Sequence, residues 1–364
     1  MSYTSYTKAG LLALLLLISF IAGWEIYLRR QGFGLSYNDD EALWAYHRQR
    51  IYEATAASPV MIGSSRIKFG MDLSTWEAIS GAAPIQLSLV GTSPRPLLAD
   101  LANDQNFRST VLVGVTEGLF FTPTGSFPER QAHKCIAFYP NWSIAQQSGF
   151  AVGRLLESHL LFLDEEQFSL QGLMSQVTIA NRPGVFAMPP FPQKFVTRGF
   201  NRQTSMTPEF VRDTALQNQV KAIWTYVATQ APRNPMPDSV LTSIFQEVSS
   251  DVRKIQERGG TVLFVRMPSS GPIWEGEKQA FPREQYWNRL LRETGAPGIH
   301  FEDFPKLARY DCPEWSHLSP EDARIFTADL MHIIRQQTDW TLPLSQADSA
   351  KLNNYPITLR HHGF

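Results

Sequence analysis

The residues PVMIGSSRIKFGMDLSTWEAISGAAPIQLSLVG, at positions 59 to 91, decide the fold. Two short apolar runs, PVMIG (59–63) and IQLSLVG (85–91), end in glycine and enclose a helical pattern, DLSTWEAIS (72–80). Short apolar runs are typical of buried strands, and a strand, a helix and a second strand in succession are the unit of a parallel sheet. We therefore predict an α/β domain that begins near residue 58.

The same alternation continues further along the chain. A helix is predicted over PRPLLADLAND (94–104), followed by a strand in STVLVGV (109–115). Two more strands are predicted near the end, in GTVLFVRMP (260–268) and GIHFEDFP (298–305), before a helix from Pro320 to about Gln336. The domain is thus expected to extend over residues 58–338, leaving 339–364 as a C-terminal tail.

Residues 123 to about 205 interrupt this alternation. They are rich in Pro, Phe and Gln, and they precede a long helical pattern over 208–258 that breaks at PRNPMPD (232–238). We interpret 123–205 as an insertion into the α/β domain. Its role stays open between a lid over a site, a surface for a partner, and a structural elaboration that does not contact substrate.

The amino terminus carries an apolar segment, KAGLLALLLLISFIAGWEIYLRR (8–30). A helix over residues 9–28 is about 30 Å long, which matches a bilayer core, and Trp24 and Tyr27 suit its interface. SFIAGWE is a poor cleavage site, so residues 1–30 are predicted to be a retained single-span anchor in contact with lipid through 9–28, in preference to a cleaved signal peptide.

Charge does not decide the orientation of this anchor. Lys8 lies on one side, while Arg29 and Arg30, offset by Glu25, lie on the other. A head this short is easily kept in the cytoplasm, which predicts an inner (cell) membrane protein with its body in the periplasm or outside. A juxtamembrane helix is predicted within 31–57, capped by Asn38 or Asp39.

Composition excludes some classes of partner. A chain of 364 residues with a net charge of −1 has no electrostatic basis for binding nucleic acid. Cys135 and Cys312 are either a disulfide pair or two buried thiols. A metal site formed by these cysteines with His133 and His317 has no supporting spacing beyond one His-x-Cys, so neither a metal nor a cofactor is expected.

Chemistry-bearing residues follow the predicted strands. The strand ends are GSSR (63–66), VGTS (90–93) and GVTE (114–117), and such ends meet at one edge of a parallel sheet. Far along the chain, Glu314 precedes His317 by three residues, just before the helix start at Ser319. A carboxylate that holds one imidazole nitrogen leaves the other free to activate a serine. Taken singly, each motif is an ordinary turn or helix flank.

Together the motifs resemble the SGNH (GDSL-like) hydrolase superfamily. IGSSR matches the nucleophile block, LSLVGTSP the glycine block and EWSHLSPEDA the acid–histidine block. The resemblance implies a flavodoxin-like parallel sheet between helices. It also implies Ser65 as nucleophile, His317 as general base and acid, and Glu314 as the carboxylate that orients it, with Asp311 and Asp303 as second choices. The N–H groups of Ser65 and Gly91 would form the oxyanion hole.

The sequence departs from the family pattern at three positions. Ser64 stands where the family often has Asp, and Glu314 stands where Asp is usual. The G-x-N-D block becomes Gly114-Val115-Thr116-Glu117. The oxyanion-donating Asn is therefore missing, and Thr116 is the residue left to replace it. These changes are compatible with a weak hydrolase, an altered oxyanion hole or a retired active site.

An SGNH-like domain on a single span resembles the envelope proteins that work beside membrane-bound O-acyltransferases. This implies an acyltransferase or esterase acting on carbohydrate esters of an extracytoplasmic polysaccharide, with such an acyltransferase as partner. Trp142, Phe150 and Phe191 of the insertion are expected either to stack on sugar rings or to fill a core. The alternative function is a non-catalytic envelope scaffold that binds a partner or a glycan.

Overall fold

A computed structural model of the chain describes residues 3–55, 57–177, 189–230, 236–338 and 340. The predicted tail, 339–364, lies outside these ranges except for Trp340. The described part is α/β, with a five-stranded parallel sheet between helices and one long apolar helix at the amino terminus.

Of the seven strands in the described ranges, five lie within the apolar runs predicted from the sequence, two of these are much shorter than their runs, and the two strands of a hairpin were not predicted. The strands are β1 (Val60–Ile62), β2 (Ile85–Gln86), β3 (Thr110–Val115), β4 (Val196–Arg198), β5 (Thr204–Met206), β6 (Thr261–Arg266) and β7 (Gly298–His300). Five of them form the parallel sheet in the order β2-β1-β3-β6-β7, while β4 and β5 form a separate antiparallel hairpin. This order reverses direction between β1 and β3, which is where doubly wound sheets bind their ligands.

The α-helices are as follows: α1 (Tyr3–Arg30), α2 (Glu41–Gln49), α3 (Ser65–Gly70), α4 (Leu73–Ser80), α5 (Arg95–Asn103), α6 (Glu117–Phe120), α7 (Arg130–Phe138), α8 (Ile144–Glu157), α9 (Glu165–Phe168), α10 (Leu170–Ser175), α11 (Pro208–Arg212), α12 (Thr214–Gln230), α13 (Asp238–Glu257), α14 (Gly271–Ala280), α15 (Trp287–Thr294), α16 (Pro305–Ala308) and α17 (Pro320–Gln337). Short 3-10 turns occur at Arg50–Glu53, Phe127–Glu129, Tyr139–Asn141, Leu161–Leu163 and Phe301–Asp303.

Two hydrophobic cores lie on opposite faces of the sheet. Alternate residues of β3 supply them, with Val111 and Val113 in one core and Leu112 in the other, as the two-residue period of a strand requires. Cys135 belongs to the first core and Cys312 to the second, and both are free thiols. The disulfide interpretation is therefore wrong for this fold, and the buried-thiol interpretation holds.

The predicted cap of the helix after the anchor is displaced by one or two residues. The helix after the anchor is capped by Asp40, whose carboxylate accepts from the N–H of Leu43 at 2.8 Å, and not by Asn38 or Asp39. The buried Asp39 carboxylate instead pairs with Lys68 and Arg202. The juxtamembrane helix predicted within 31–57 is also shorter in the structure, because α2 covers Glu41–Gln49 and a 3-10 turn follows it at Arg50–Glu53.

We group α11 and α12 with the predicted insertion, 123–205, because of how they pack. α11 and α12 pack with the β4–β5 hairpin in a third apolar cluster that contains Phe195, Met206, Phe210 and Val220. The chain rejoins the sheet layer only at α13, which packs on α5 and β6. The break in the helical pattern at PRNPMPD (232–238) coincides with this division, since α12 ends at Gln230 and α13 begins at Asp238.

The amino-terminal helix is long and apolar enough to cross a membrane, over Tyr6–Arg30. Its last turns contact the insertion. The Glu25 carboxylate accepts from the N–H of Leu161 at 2.9 Å, and the guanidinium of Arg29 donates to the carbonyl of His159 at 2.7 Å. Leu28 is buried at this contact, so the end of the helix is held against the folded domain.

Candidate active site

Ser65 is the first residue of α3, directly beyond the carboxyl end of β1. Two glycines make this sharp strand-to-helix turn possible. A Cβ at Gly63 would lie 2.7 Å from the side chain of Ile67, and one at Gly114 would lie 2.0 Å from it. Ile67 therefore packs between the ends of β1 and β3, and α3 can start immediately with a half-buried serine at its tip.

His317 and Glu314 meet this serine from the other end of the chain. Nε2 of His317 lies 2.8 Å from Oγ of Ser65, across 252 residues of sequence. Nδ1 lies 2.8 Å from Oε1 of Glu314, and the same oxygen accepts from the backbone N–H of His317 at 2.6 Å. With Nδ1 protonated toward the carboxylate, Nε2 is the acceptor for the serine hydroxyl, as a general base requires.

The loop that carries Glu314 and His317 contains a residue, Trp315, with a left-handed backbone conformation. Trp315 has a φ of +75°, and its N–H donates to the carbonyl of Cys312 at 2.9 Å. A positive φ is uncommon for a residue other than glycine, and it is retained where surrounding contacts hold the backbone in that conformation. Its carbonyl accepts from the N–H of Ser270 at 2.8 Å. The turn places Glu314 and His317 side by side before Ser319 caps α17.

Aromatic side chains surround the imidazole. The Phe69 ring stacks on that of His317, with centroids 4.2 Å apart, and Trp224 of the insertion lies at 6.1 Å. The indole N–H of Trp224 donates to Oε2 of Glu314. Each carboxylate oxygen is thereby engaged, and Glu314 has no exposed surface. A buried carboxylate with all its donors in place is fixed in one orientation.

The predicted oxyanion residues differ in how closely the structure ties them to Ser65. As the first residue of a helix, Ser65 has an N–H without an intrahelical acceptor. Gly91 lies in the turn after β2 with a φ of +62°, a backbone conformation that favours glycine. The Thr116 hydroxyl is 2.7 Å from that of Ser64, the neighbour of the proposed nucleophile. Thr116 is thus at the correct strand end but already has a hydrogen-bond partner.

A buried network of charges lies beneath these residues. Arg66 pairs with Glu277 at 2.5 Å, Glu277 pairs with Arg266 at 2.5 Å, and Arg266 pairs with Glu117 at 3.0 Å. Burial would raise the pKa of Glu277, but the two guanidinium groups outweigh it and hold the pKa at about 2. The network thus connects Arg66, which follows Ser65, to Glu117, which follows Thr116. Glu117, one of the positions at which the sequence departs from the family pattern, therefore has a structural role.

Several weaker sequence hypotheses are not supported here. Asp303 pairs with Arg283 and Asp311 is exposed, whereas Glu314 faces Nδ1 of His317. Trp142 is packed in a core, and Phe150 contacts the Trp142 and Phe200 rings, so both fit the core alternative rather than sugar stacking. Within the described ranges, no group of three or more His, Cys, Asp or Glu side chains is arranged to hold a metal ion.

Phe191 lies in a different position from the other two aromatic residues. It stacks on Phe195 at 5.6 Å and contacts Trp224 at 5.5 Å, in the cluster that surrounds His317.

The sequence did not single out Trp224, Arg66 or Glu277. Only the even apolar spacing of α12 indicated that Trp224 belongs to a helix, and nothing in that spacing indicates contact with a residue 90 positions away.

The comparisons with known proteins add no relative to this description. No protein-family model, no curated protein and no solved structure matches this chain.

Proposed function

We propose that this chain is a membrane-anchored SGNH-like serine acyltransferase or esterase. The observation that carries the proposal is the continuous hydrogen-bonded series from Glu314 through His317 to Ser65, with 2.8 Å at each contact of the imidazole. A serine, a base and an orienting carboxylate in this order are the parts needed for acyl transfer through a covalent intermediate. The resemblance to SGNH hydrolases suggests the same assignment from sequence motifs.

The first half-reaction forms an acyl-serine. His317 Nε2 takes the hydroxyl proton of Ser65 as Oγ attacks the carbonyl carbon of an ester, and Glu314 stabilises the imidazolium that results. The N–H groups of Ser65 and Gly91, with the Thr116 hydroxyl, would stabilise the negative charge on the carbonyl oxygen. The tetrahedral intermediate then releases the alcohol, which leaves with the proton from Nε2.

The second half-reaction determines whether the chain is a transferase or a hydrolase. A sugar hydroxyl or a water molecule gives its proton to His317 and attacks the acyl carbon, after which the proton returns to Ser65 as the new ester or the acid departs. Transfer from a membrane-bound O-acyltransferase partner to an extracytoplasmic polysaccharide would use the first route. The anchor and its orientation toward the periplasm or outside belong to this proposal.

The competing proposal is a non-catalytic scaffold that binds a partner or glycan. The pairing of Thr116 with Ser64 favours it, because a hydroxyl committed to a neighbour is a weaker oxyanion donor. A retired site would place little constraint on the carboxylate, whereas Glu314 here receives both a backbone and an indole donor. On balance these contacts support catalysis.

A fluorophosphonate probe tests the proposal on the purified full chain. It should label the wild type covalently and fail to label Ser65→Ala. Ser64→Ala is the matched control, because it removes the adjacent hydroxyl and should keep labelling within about tenfold of wild type. No labelling of the folded wild type, alone or with membranes that contain its partner, would support the scaffold instead.

A further inference from the structure

Exposed apolar side chains lie on two helices of the insertion. On α8 they include Ile144, Val152 and Leu155, and on α10 they include Leu170, Leu173 and Met174. These six residues, here called the apolar face, are between 49% and 82% exposed. On α8 they occupy about a quarter of the helix circumference, and on α10 they follow an i, i+3, i+4 pattern. Such one-sided exposure in a folded domain marks an interaction surface.

The apolar face is fixed close to the end of α1. The 3-10 turn Leu161–Leu163, which follows α8 and precedes α9 and α10, packs directly on α1. The Glu25 carboxylate of α1 accepts from the backbone N–H of Leu161. Asn38 completes the connection, since its amide group donates to the carbonyl of Leu163 at 2.9 Å and accepts from the N–H of Glu165 at 2.8 Å. The segment that joins α8 to α9 is therefore bound to the end of the anchor.

Aromatic residues of α1 indicate where the membrane ends. Trp24 and Tyr27 stack on each other at 5.4 Å and are 40% and 50% exposed, as expected for side chains at the lipid–water interface. They flank Glu25 in the helix, so the turn bound to Glu25 is at the same height. α8 ends shortly before that turn, and α10 follows it after α9, so each of the two helices is connected to α1 through a segment at this height.

We propose that the apolar face lies in the headgroup–acyl boundary of the membrane that α1 crosses. Helices with one apolar side bind in this boundary with that side toward the acyl chains. The domain would then rest on the bilayer instead of moving freely above it. The inference depends on α1 as a membrane span and not on the chemistry at Ser65.

Depth-dependent quenching in nanodiscs tests this proposal on the full chain. A bimane probe is placed on Val152→Cys and Leu173→Cys, with Tyr27→Cys as the reference at the interface and Glu275→Cys on α14 as the control. The native thiols are buried and stay unlabelled. In phosphatidylcholine–phosphatidylglycerol discs with a spin label near the headgroup, positions 152 and 173 should show at least half of the quenching at position 27. Position 275 should show less than a tenth.

The contrary outcomes are distinct. Quenching at position 27 with none at 152 and 173 would overturn the proposal, and a probe response there only in the presence of other membrane proteins would assign the face to an integral partner. Absence of quenching at position 27 would remove the anchor and the proposal together. Ser65→Ala should leave every value unchanged.

A second measurement needs no substitution. Photolabelling of the wild-type chain with a diazirine lipid, followed by mass spectrometry, should give adducts on peptides from α8 and α10 as well as α1. Adducts confined to α1 would also overturn the proposal.

Discussion

The indole N–H of Trp224 donates to Oε2 of Glu314, although 90 residues separate the two along the chain. Trp224 belongs to α12, a helix of the insertion, while Glu314 lies in the loop before the last helix of the α/β domain. The insertion thus supplies the last donor to the carboxylate that holds His317. This contact makes the insertion part of the candidate site, whether or not it also covers a substrate.

Trp224→Phe should slow the phosphonylation of Ser65 by the fluorophosphonate about tenfold. It keeps the aromatic packing but removes a hydrogen bond to a charged group, which is worth about 1.5–3 kcal/mol. With one donor fewer, the Glu314 carboxylate orients the imidazole of His317 less firmly toward Ser65. The measurement is the rate of labelling. A rate equal to that of wild type would contradict a positioning role for Trp224.

Trp142→Phe is the matched control for that experiment. Its indole nitrogen is buried and has no hydrogen-bond partner among the described residues. The substitution therefore changes an equivalent ring in the same insertion without removing a contact to the site. Its labelling rate should equal that of wild type.

Thr116→Val should slow labelling of Ser65 by the fluorophosphonate by about 10²-fold, because loss of one oxyanion donor typically costs this much. The change is nearly isosteric and removes only the hydroxyl that lies 2.7 Å from Ser64. Stopped-flow or time-resolved labelling gives the rate, and Ser64→Ala is the control that keeps the Thr116 hydroxyl. Equal rates for wild type and Thr116→Val would leave the threonine with a structural role alone.

The parallel sheet and the positions of Ser65, Glu314 and His317 could be predicted from the sequence, because each has a short-range sequence signal. Strands such as β3 are short apolar runs that end in small residues, and their order places Ser65 at a sheet edge where ligands bind. His317 was identifiable because Glu314 precedes it at a fixed spacing and a cap at Ser319 starts α17 immediately after it. Each signal lies within a few residues of the group that it identifies.

The remaining features depend on contacts between distant segments. Nothing in the sequence around Trp224 distinguishes it from a core residue, and Glu277 is an ordinary charged residue on an amphipathic helix. The displaced cap has the same origin: Asp39 is a good capping residue, but Lys68 and Arg202 bind its carboxylate in the fold. The capping preference of a residue such as Asp39 is overridden when its buried carboxylate must pair with cations elsewhere in the fold.

The two cysteines should be inert in the folded protein. Burial raises the pKa of the Cys135 thiol to about 12, and burial also raises that of Cys312. Since the thiolate is the reactive form, Ellman's reagent should titrate no thiol in the native chain and two after denaturation without reductant. If no thiol reacts after denaturation, the two cysteines form a disulfide. Their positions argue against one, because Cys135 and Cys312 lie in the two cores on opposite faces of the sheet.

Acid should destabilise the domain through Glu277. Its pKa is about 2 in the folded state, against 4.5 as the ordinary value, so the folded state favours the ionised form. The resulting stability is fully present above about pH 4.5 and is lost as the pH falls toward 2, with a size on the order of 3 kcal/mol. Thermal unfolding at several pH values between 2 and 6 measures it.

Glu277→Gln should lower the melting temperature near pH 6, because Arg66 and Arg266 lose their shared buried partner. It should also flatten the decline in stability between pH 4.5 and 2, since the titrating group is gone. Glu275→Gln removes an exposed carboxylate of α14 that pairs with Lys278, and it should keep the wild-type decline. If Glu277→Gln and wild type lose stability in parallel on acidification, other carboxylates carry the acid sensitivity and the network beneath Ser65 does not.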